Sequence, residues 1–530
     1  MSYDPEPSYP LSDGDLGCGY RRLVERCRRT RGVLAIDGPA ALPWDRLAEG
    51  LSAAGRVVRV TPADAPLEPA RPDDPVFARP YAGSLADLVE LPARERDQDT
   101  LTILLGPGSG LGDHDALWYA DVPRRDQLAA TRNERRLLYV DWPLEDRHLH
   151  ELTDRIDAYV DLGDSAAPVL VDGDTLRRTL AKLAGGPLRT RPTFLPGPWG
   201  GQWLRRRLGI ETGAANLAWS YELIAPEASL LLHDRSGTRI EVRFELLLAA
   251  QAEAVLGPAI AASFGGAFPL RFDYLDTFGG GNLSIQCHPT DAYMNDTFGG
   301  SYTQHETYYV VETIPGASIY LGLRDDADVA AFERAAREAL AGTPFDPMRF
   351  LQAHPAEQHR LYLIPGGTPH ASGAGNVVLE ISATPYLYTL RFYDWLRRGL
   401  DGNLRPVHLE HAFANLDASR RGEAVARTLV PPPRAVRSGE DWCELELGAL
   451  PELFFVVHRL DFERSIADET AGRFHMLCLV AGEAVTIATD SGRRHELSYA
   501  ETIVVPAAAG RYRLTNAGNS ACKVVKAFVR

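Results

Sequence analysis

The sequence predicts a multi-domain protein in which an α/β part is followed by a longer all-β part. The first observation is length, because 530 residues exceed what a single hydrophobic core usually holds and suggest about three domains. The second is that strand-like and helical stretches alternate before residue 190, whereas later apolar strands alternate with Gly, Pro and Asp turns. We expect domains at 1–190, 193–435 and 440–530.

The N-terminal elements predict a parallel sheet with helices on both faces. Apolar runs that read as strands lie at 32–39, 101–105 and 137–141, and helical patterns lie at 44–54 and near 176–184. The turn after the first strand resembles that of a uridine-kinase-like P-loop domain. However, residues 38–45 lack the second glycine and the lysine that a working P-loop uses to wrap phosphates. We therefore expect an α/β domain without kinase activity, and binding of a ligand or partner stays open as an alternative.

The all-β part predicts two jelly-roll barrels, the second smaller than the first. A Pro- and Gly-rich stretch at 189–201 is typical of a linker into it. The first barrel carries a short helical segment at 325–340 and strands at 361–364 and 377–381. In the second, strands are expected at 474–480 and 502–507. A chain beginning near Thr193 is expected to keep the chemistry of this part.

Four residues in the first barrel predict a metal site. Gln286 and His288 are two apart, so they share one face of a strand, and Cys287 points to the opposite face. Glu306 directly precedes an apolar run, and His370 lies in a Gly- and Pro-rich turn between strands. Two imidazoles, a carboxylate and an amide oxygen suit a divalent ion, and zinc in particular.

Residues 193–530 resemble the class I, zinc-dependent mannose-6-phosphate isomerases, whose fold is a cupin. The resemblance is carried by motifs that occur in the family's order, namely Trp199-Gly200-Gly201, Phe268-Pro269-Leu270, Ser284-Ile285-Gln286-Cys287-His288-Pro289, Ile364-Pro365-Gly366-Gly367-Thr368-Pro369-His370-Ala371 and Leu390-Arg391-Phe392-Tyr393-Asp394-Trp395. It implies a double cupin in which Gln286, His288, Glu306 and His370 hold Zn²⁺. It also implies that Arg391 is the active-site arginine.

The sequence departs from this family at two lysines. Gln304 stands where the family has a lysine two residues before the ligand glutamate, and Asp273 stands near the lysine that follows Phe-Pro-Leu. Arg271 or His305 could compensate for the missing cations. His305 and Asp273 are both candidates for the catalytic base, and we include His305 with Arg391 as a predicted catalytic residue.

These residues predict a zinc-dependent aldose–ketose isomerase that interconverts mannose 6-phosphate and fructose 6-phosphate through a cis-enediol. Zinc and a fixed guanidinium would stabilise the negative charge that develops on oxygen. Two alternatives stay open: a related isomerase or epimerase acting on an unphosphorylated or different sugar, and a sugar-binding regulatory protein without enzymatic activity. Arg391 could instead form an ion pair with Asp394 or Glu380.

Bulk properties exclude several other classes. The net charge of −15 argues against nucleic acid and against an acidic membrane surface as partners. The chain has no apolar run of membrane-spanning length, and its acidic start lacks a signal-peptide pattern. The six cysteines form no Cys-x-x-Cys pair, so we expect reduced thiols in a cytoplasmic protein. The expected partner is a small sugar or sugar phosphate, and the oligomeric state is left open.

Overall fold

A computed structural model describes residues 2–92, 101–131, 133–385 and 387–530. The chain forms two compact units. The barrel unit comprises Met1–Pro5, Gly186–Ile224 and Phe268–Arg530, and the α/β unit comprises Glu6–Gly185 and Ala225–Ala267. Sequence analysis assigned residues 225–267 to the first barrel domain, whereas their contacts group them with the α/β unit.

The α/β unit is built on a seven-stranded sheet. From edge to edge its strands are Gly17–Cys18, Val169–Asp172, Ala158–Asp161, Ala116–Asp121, Val33–Asp37, Thr102–Leu105 and Arg56–Arg59. The last five run parallel to one another, and each of the first two is antiparallel to the strand that follows it in this order. Val33–Asp37, the central one of the five parallel strands, is buried along its whole length, as expected for a parallel sheet covered on both faces.

Helices and a smaller sheet complete the α/β unit. The α-helices are Gly19–Cys27, Trp44–Leu51, Arg124–Ala130, Glu134–Arg136, Trp142–Leu152, Gly173–Leu183, Phe244–Leu256 and Pro258–Phe264, with single 3₁₀ turns at Leu85–Asp87, Ser109–Leu111, Thr153–Arg155 and Ala225–Glu227. The small sheet joins Ser8–Pro10, Ser229–His233 and Arg239–Arg243. Thus the segment that follows Ile224 supplies two strands of this sheet, and its third strand comes from the start of the chain.

One predicted strand of the α/β unit is wrong. Residues Leu137–Asp141 form a π-helical segment that continues into the helix Trp142–Leu152. Leu137, Tyr139 and Val140 are buried, so the run is apolar for packing reasons rather than because it lies in the sheet. A short apolar run cannot be assigned to strand or helix by periodicity alone.

The first barrel of the barrel unit consists of two antiparallel sheets. The six-stranded sheet has the order Leu361–Ile364, Glu306–Thr313, Asn376–Ala383, Leu270–Asp276, Trp219–Leu223 and Thr193–Leu195. The five-stranded sheet has the order Leu351–Pro355, Ser318–Leu323, His370–Ser372, Ile285–Cys287 and Leu390–Tyr393. Around them lie the helical segments Trp203–Leu208, Asp291–Tyr293, Met294–Phe298, Val329–Leu340, Pro347–Arg349, Leu409–Asn415 and Gly422–Leu429.

The second barrel is also a pair of antiparallel sheets. Its six-stranded sheet has the order Arg434–Ser438, Trp442–Gly448, Phe455–Phe462, Cys522–Val529, His475–Ala481 and Thr502–Val505. Its four-stranded sheet has the order Ser465–Glu469, Arg511–Asn516, Ala484–Thr489 and Arg494–Ser498, and a 3₁₀ turn lies at Ala507–Ala509. Leu460, Leu477, Ile487 and Leu514 are among the side chains of its apolar core.

The stretch predicted as a linker is partly structured instead. Leu188 exchanges two backbone hydrogen bonds with Val504, each of 2.9 Å. Arg189 is buried and forms an ion pair with Glu501, whose Oε1 lies 2.8 Å from its Nη1. Thr193–Leu195 is an edge strand. Proline and glycine content alone misled the prediction, because it reports backbone preference and not burial. Among the described residues, no helix is long and apolar enough to cross a membrane.

Candidate metal centre

Strand register assembles three predicted site residues in one row across the five-stranded sheet. Gln286 is paired with His370 on one side and with Arg391 on the other. Directly paired residues of antiparallel strands project to the same face. His288 follows just beyond the strand Ile285–Cys287, and Glu306 opens its strand in the other sheet of the same barrel.

His288, Glu306 and His370 meet at the centre of this arrangement. Nε2 of His288 lies 2.9 Å from Oε2 of Glu306, and Nε2 of His370 lies 2.7 Å from Oε1 of the same carboxylate. One ligand atom from each residue can be chosen so that all lie within 4.8 Å of one another, and all three residues are buried. This is the spacing of donor atoms that share a single metal ion.

The hydrogen bonding of the three residues also fits a bound cation. Both ring nitrogens of His288 and Oε1 of Glu306 are buried without a well-aligned hydrogen bond to any described residue. Buried polar atoms are rarely left in this state unless an ion or water completes them. Nδ1 of His370 lies 2.9 Å from the carbonyl oxygen of Thr368, to which it can donate, and this leaves the Nε2 lone pair for a metal.

The protonation states are those that metal ligands require. Burial opposes ionisation of Glu306, but the neighbouring imidazoles of His288 and His370 outweigh it and hold the pKa of that carboxyl well below its ordinary value. Burial lowers the pKa of His288. A neutral imidazole and an ionised carboxylate bind a cation without first releasing protons.

Gln286 lies beside the three residues without completing the set. Its Nε2 is 3.5 Å from Nε2 of His370, and its Oε1 accepts a hydrogen bond of 2.7 Å from the hydroxyl of Ser284. Amide oxygen and nitrogen are assigned from such contacts, and a half-turn of the amide would direct the oxygen toward His370. The residue is therefore positioned as a possible fourth ligand.

A polar wall of the same barrel adjoins the three residues. Gln304 donates from Nε2 to Oε2 of Glu306 at 2.9 Å and to Oε1 of Glu380 at 3.4 Å. Arg271 forms an ion pair with Glu380 and donates from Nε to the hydroxyl of Ser382 at 2.6 Å. Sequence analysis gave Glu380 only a pairing role and missed Ser382. Alternating polar positions in the buried strand Asn376–Ala383 were the available signal.

Asp273 belongs to this wall as well. It faces Glu380 across paired strands and is buried. Burial, which outweighs the nearby Arg271 cation, raises the pKa of Asp273 to about 7. Its Oδ1 has no hydrogen-bond partner among the described residues.

His305 is placed differently from the other candidate base. Its Nδ1 accepts a hydrogen bond of 3.0 Å from the Gly366 amide, and its Nε2 lies 3.2 Å from Oδ2 of Asp291. Being adjacent to Glu306, it points to the opposite side of the strand. Both ring nitrogens are thus engaged, and the contacts favour a role in holding the turn that leads to His370.

Arg391 lies in the same row as Gln286 and His370, but it does not form the ion pairs with Asp394 or Glu380 that were considered for it. Its Nη1 donates to the carbonyl oxygen of Pro406 at 3.3 Å. The ion pair of Asp394 is with Arg405, at 2.7 Å, and that of Glu380 is with Arg271. Burial and the neighbouring Arg405 lower the pKa of Arg391 to about 10, so it remains charged at neutral pH.

Comparison with known proteins agrees with this architecture. Residues 19–134 and 126–185 match the model of a family described as a domain of unknown function, DUF8485. A mannose-6-phosphate isomerase of Streptococcus mutans is 25% identical over 286 residues, which cover 54% of this chain and 82% of that protein. The mannose-6-phosphate isomerase ManA of Bacillus subtilis is 29% identical over 149 residues, 28% of this chain and 44% of that protein.

The fold is also similar to that of a solved structure. The crystal structure of the mannose 6-phosphate isomerase from Bacillus subtilis superposes with a TM-score of 0.51 and 19% identity, and covers 64% of this chain and 99% of that one. Together these similarities support homology to the cupin mannose-6-phosphate isomerases. They give no support to the predicted likeness of residues 1–190 to uridine-kinase-like P-loop domains, which stays a prediction.

Proposed function

We propose that the protein is a zinc-dependent aldose–ketose isomerase that interconverts mannose 6-phosphate and fructose 6-phosphate through a cis-enediol. The observation that carries this proposal is the buried group of His288, Glu306 and His370, in which both ring nitrogens of His288 and Oε1 of Glu306 lack a well-aligned hydrogen bond to a described residue. It lies in a barrel whose homologues include mannose-6-phosphate isomerases. Gln286 is the proposed fourth ligand.

Each residue would have a separate role in the proposed reaction. A bound zinc ion would act as a Lewis acid toward the sugar oxygens. Arg391 would provide a guanidinium that stays charged and stabilises the enediolate oxygen. Asp273 is the better placed of the two base candidates, because its Oδ1 forms no hydrogen bond to a described residue and is only 3.8 Å from Nε of Arg271, and a pKa near 7 suits a general base at neutral pH. His305 would hold the turn before His370.

Metal content tests the site directly. We expect the purified wild-type protein to retain about one zinc ion per chain after dialysis, since a two-imidazole, one-carboxylate set is a common zinc site. The double variant His288→Ala/His370→Ala should retain almost none by elemental analysis. His354→Ala removes an imidazole from the same barrel outside the site and should leave the zinc content unchanged. Full metal content in the double variant would disprove the site.

A second candidate substrate is an unphosphorylated sugar. In the barrel wall near Glu306 the cation Arg271 is engaged by Glu380 and by the hydroxyl of Ser382, and Gln304 is neutral. These residues of the wall therefore offer a phosphate group no cation that is not already engaged. Comparison of kcat/KM for mannose and mannose 6-phosphate, followed by NMR, distinguishes the two candidates. A zinc-loaded protein that binds sugar without turning it over would instead support the regulatory alternative.

A further inference from the structure

The α/β unit contains a cavity whose lining includes none of the proposed metal ligands. It has a volume of about 320 Å³ and is lined by Ala40, Val60, Leu88, Tyr119, Glu145 and His148, among others. Ala40 follows the central strand Val33–Asp37, and Val60 follows the edge strand Arg56–Arg59. From Val33–Asp37 the chain goes to the edge strand Arg56–Arg59 and comes back to Thr102–Leu105, which lies between them. It then continues to Ala116–Asp121, on the other side of Val33–Asp37. The crevice at such a reversal of strand order is where open α/β sheets bind ligands.

The place where this sheet could hold a phosphate is already filled by a carboxylate of the chain. Oδ1 of Asp37 accepts from the amides of Gly38 at 2.7 Å and Gly108 at 3.0 Å, and Oδ2 accepts from the amide of Gly110 at 2.7 Å. Converging glycine amides of this kind normally form an anion-binding nest. Because Asp37 occupies it, a phosphate would meet a negative charge and no free amide from these three glycines.

Two buried side chains of the cavity have atoms that no described residue satisfies. Glu145 and His148 are only 6% and 4% exposed, and they lie three residues apart on one face of the helix Trp142–Leu152. Oε1 of Glu145 accepts from the Ala40 amide at 3.0 Å, and Nε2 of His148 lies 2.9 Å from Oδ2 of Asp37. Oε2 of Glu145 and Nδ1 of His148 form no hydrogen bond to a described residue, and the nearest carboxylate to that Nδ1 is the exposed Glu151, whose Oε2 is 3.8 Å away.

The charged side chains of the lining are paired within the chain, Arg136 with Asp64 and Asp141 and Arg59 with Asp45, and this pairing favours a neutral ligand. Burial raises the pKa of Glu145 to about 8, so its carboxyl is uncharged at neutral pH and offers an O–H donor as well as an acceptor. Burial opposes protonation of His148, but its contact with Asp37 outweighs this and raises its pKa. The charge of a protonated His148 is balanced by Asp37. Leu85, Leu88 and Leu144 provide an apolar wall on which a ring could lie.

We propose that this cavity is a second ligand site, which binds an uncharged, polyhydroxylated small molecule of about monosaccharide size. Hydroxyl groups of the ligand would complete Oε2 of Glu145 and Nδ1 of His148, and its less polar face would lie against the leucines. A cavity of this volume is at the lower end of the range that small-molecule sites occupy. The site makes no use of the metal residues and does not depend on the proposed isomerase activity.

Hydrogen–deuterium exchange of the full-length protein tests the proposal. The probes are D-mannose, D-fructose, D-glucose and myo-inositol, each compared with inorganic phosphate and with ATP. We expect at least one of the four neutral probes to slow exchange in peptides covering 38–44, 60–64 and 142–148. The same protection should persist in His288→Ala/His370→Ala, which separates this site from the barrel. Protection by phosphate or ATP alone, or by none of the six compounds, would overturn the proposal.

Variants make the test specific to the cavity. Glu145→Leu removes both the hydrogen-bond donor and the acceptor of this side chain. It should lower the affinity for the protecting probe at least about tenfold. Glu145→Gln keeps the shape and the hydrogen bonds and should bind within a few-fold of wild type. Ala63→Trp, at an exposed position of the rim, should block the cavity without disturbing the core. Asp154→Asn changes an exposed carboxylate of the same unit and should have no effect. Unchanged protection in both Glu145→Leu and Ala63→Trp would place the ligand elsewhere.

Discussion

Replacement of Arg391 should impair the proposed reaction and leave folding and metal content intact. Its charge suits the enediolate of the proposed isomerisation, which would form only along the reaction path, so the loss should fall on kcat more than on KM. We expect Arg391→Ala to fold, keep its metal and lose about 10²–10³ in kcat, the usual cost of one stabilising donor. Arg391→Lys should restore little, because an ammonium lacks the planar fork. Steady-state kinetics on metal-loaded protein measure both parameters.

Arg398→Ala is the matched control for that experiment. Arg398 lies seven positions later in the chain, and its Nη1 donates to the exposed carbonyl of Gly402 at 2.8 Å. Its loss should leave kcat unchanged. Near-normal kcat in metal-replete Arg391→Ala would assign Arg391 a structural role beside Arg405 and Asp394.

The sequence could predict that His288, Glu306 and His370 lie together, but it could not decide between the candidate bases. Alternation in a strand is sufficient to put Gln286 and His288 on one face and Cys287 on the other, and the motif order supplied Glu306 and His370. The base depends on burial and on contacts made across sheets. Only the fold reveals that both nitrogens of His305 are engaged and that Asp273 is buried with a raised pKa.

At the scale of elements, Arg189, at the start of the stretch 189–201, tests whether that stretch is a linker or part of the folded structure. Arg189 and Glu501 are each 2% exposed, and removing one partner of such a pair leaves a buried charge. We therefore expect Arg189→Ala to lower the free energy of unfolding by about 3–5 kcal/mol. Denaturant unfolding followed by circular dichroism measures the change.

An exposed ion pair of the same unit provides the comparison. Arg464 is 74% exposed and pairs with Asp441 at 2.7 Å. Its replacement by alanine should lower the free energy of unfolding far less than Arg189→Ala does, because water screens an exposed ion pair. Equal and small losses in both variants would mean that the start of the stretch 189–201 acts as the flexible linker that its composition suggests. The sequence could not decide this, because a proline- and glycine-rich stretch reveals nothing about whether Arg189 has a buried partner.

At the scale of the whole molecule, chain order and structural units differ. Residues 225–267 leave the barrel unit after Ile224 and return at Phe268, and between them they form strands and helices of the α/β unit. Patterns of periodicity identify such elements but not the sheet they join. The sequence could therefore predict an α/β part and two barrels. The predicted domains, however, were three continuous ranges, whereas the structural units are discontinuous along the chain.

This arrangement predicts which truncations fold. The strands Trp219–Leu223 and Leu270–Asp276 are antiparallel neighbours in which Leu223 is paired with Phe272, so the two ends of the excursion lie close together. A chain from Gly186 to Arg530 in which a short Gly- and Asn-containing loop replaces 225–267 should fold and keep its metal. A chain of 193–530 should aggregate, because it retains Leu230, Leu232 and Phe244, which are buried in the complete protein, without most of the α/β unit.

Size-exclusion chromatography, thermal unfolding and elemental analysis on both truncated chains test whether residues 225–267 belong to the α/β unit or to the barrel. The spliced chain should elute as a discrete species, unfold cooperatively and carry metal like the full-length protein. The control is the spliced chain with His288→Ala/His370→Ala, which should fold equally well but carry no metal. If the 193–530 chain were soluble and metal-loaded while the spliced chain failed to fold, residues 225–267 would belong to the barrel and the successive boundaries would be correct. We expect the opposite, because an excursion between adjacent strands can be replaced by a hairpin loop at little cost in loop-closure entropy.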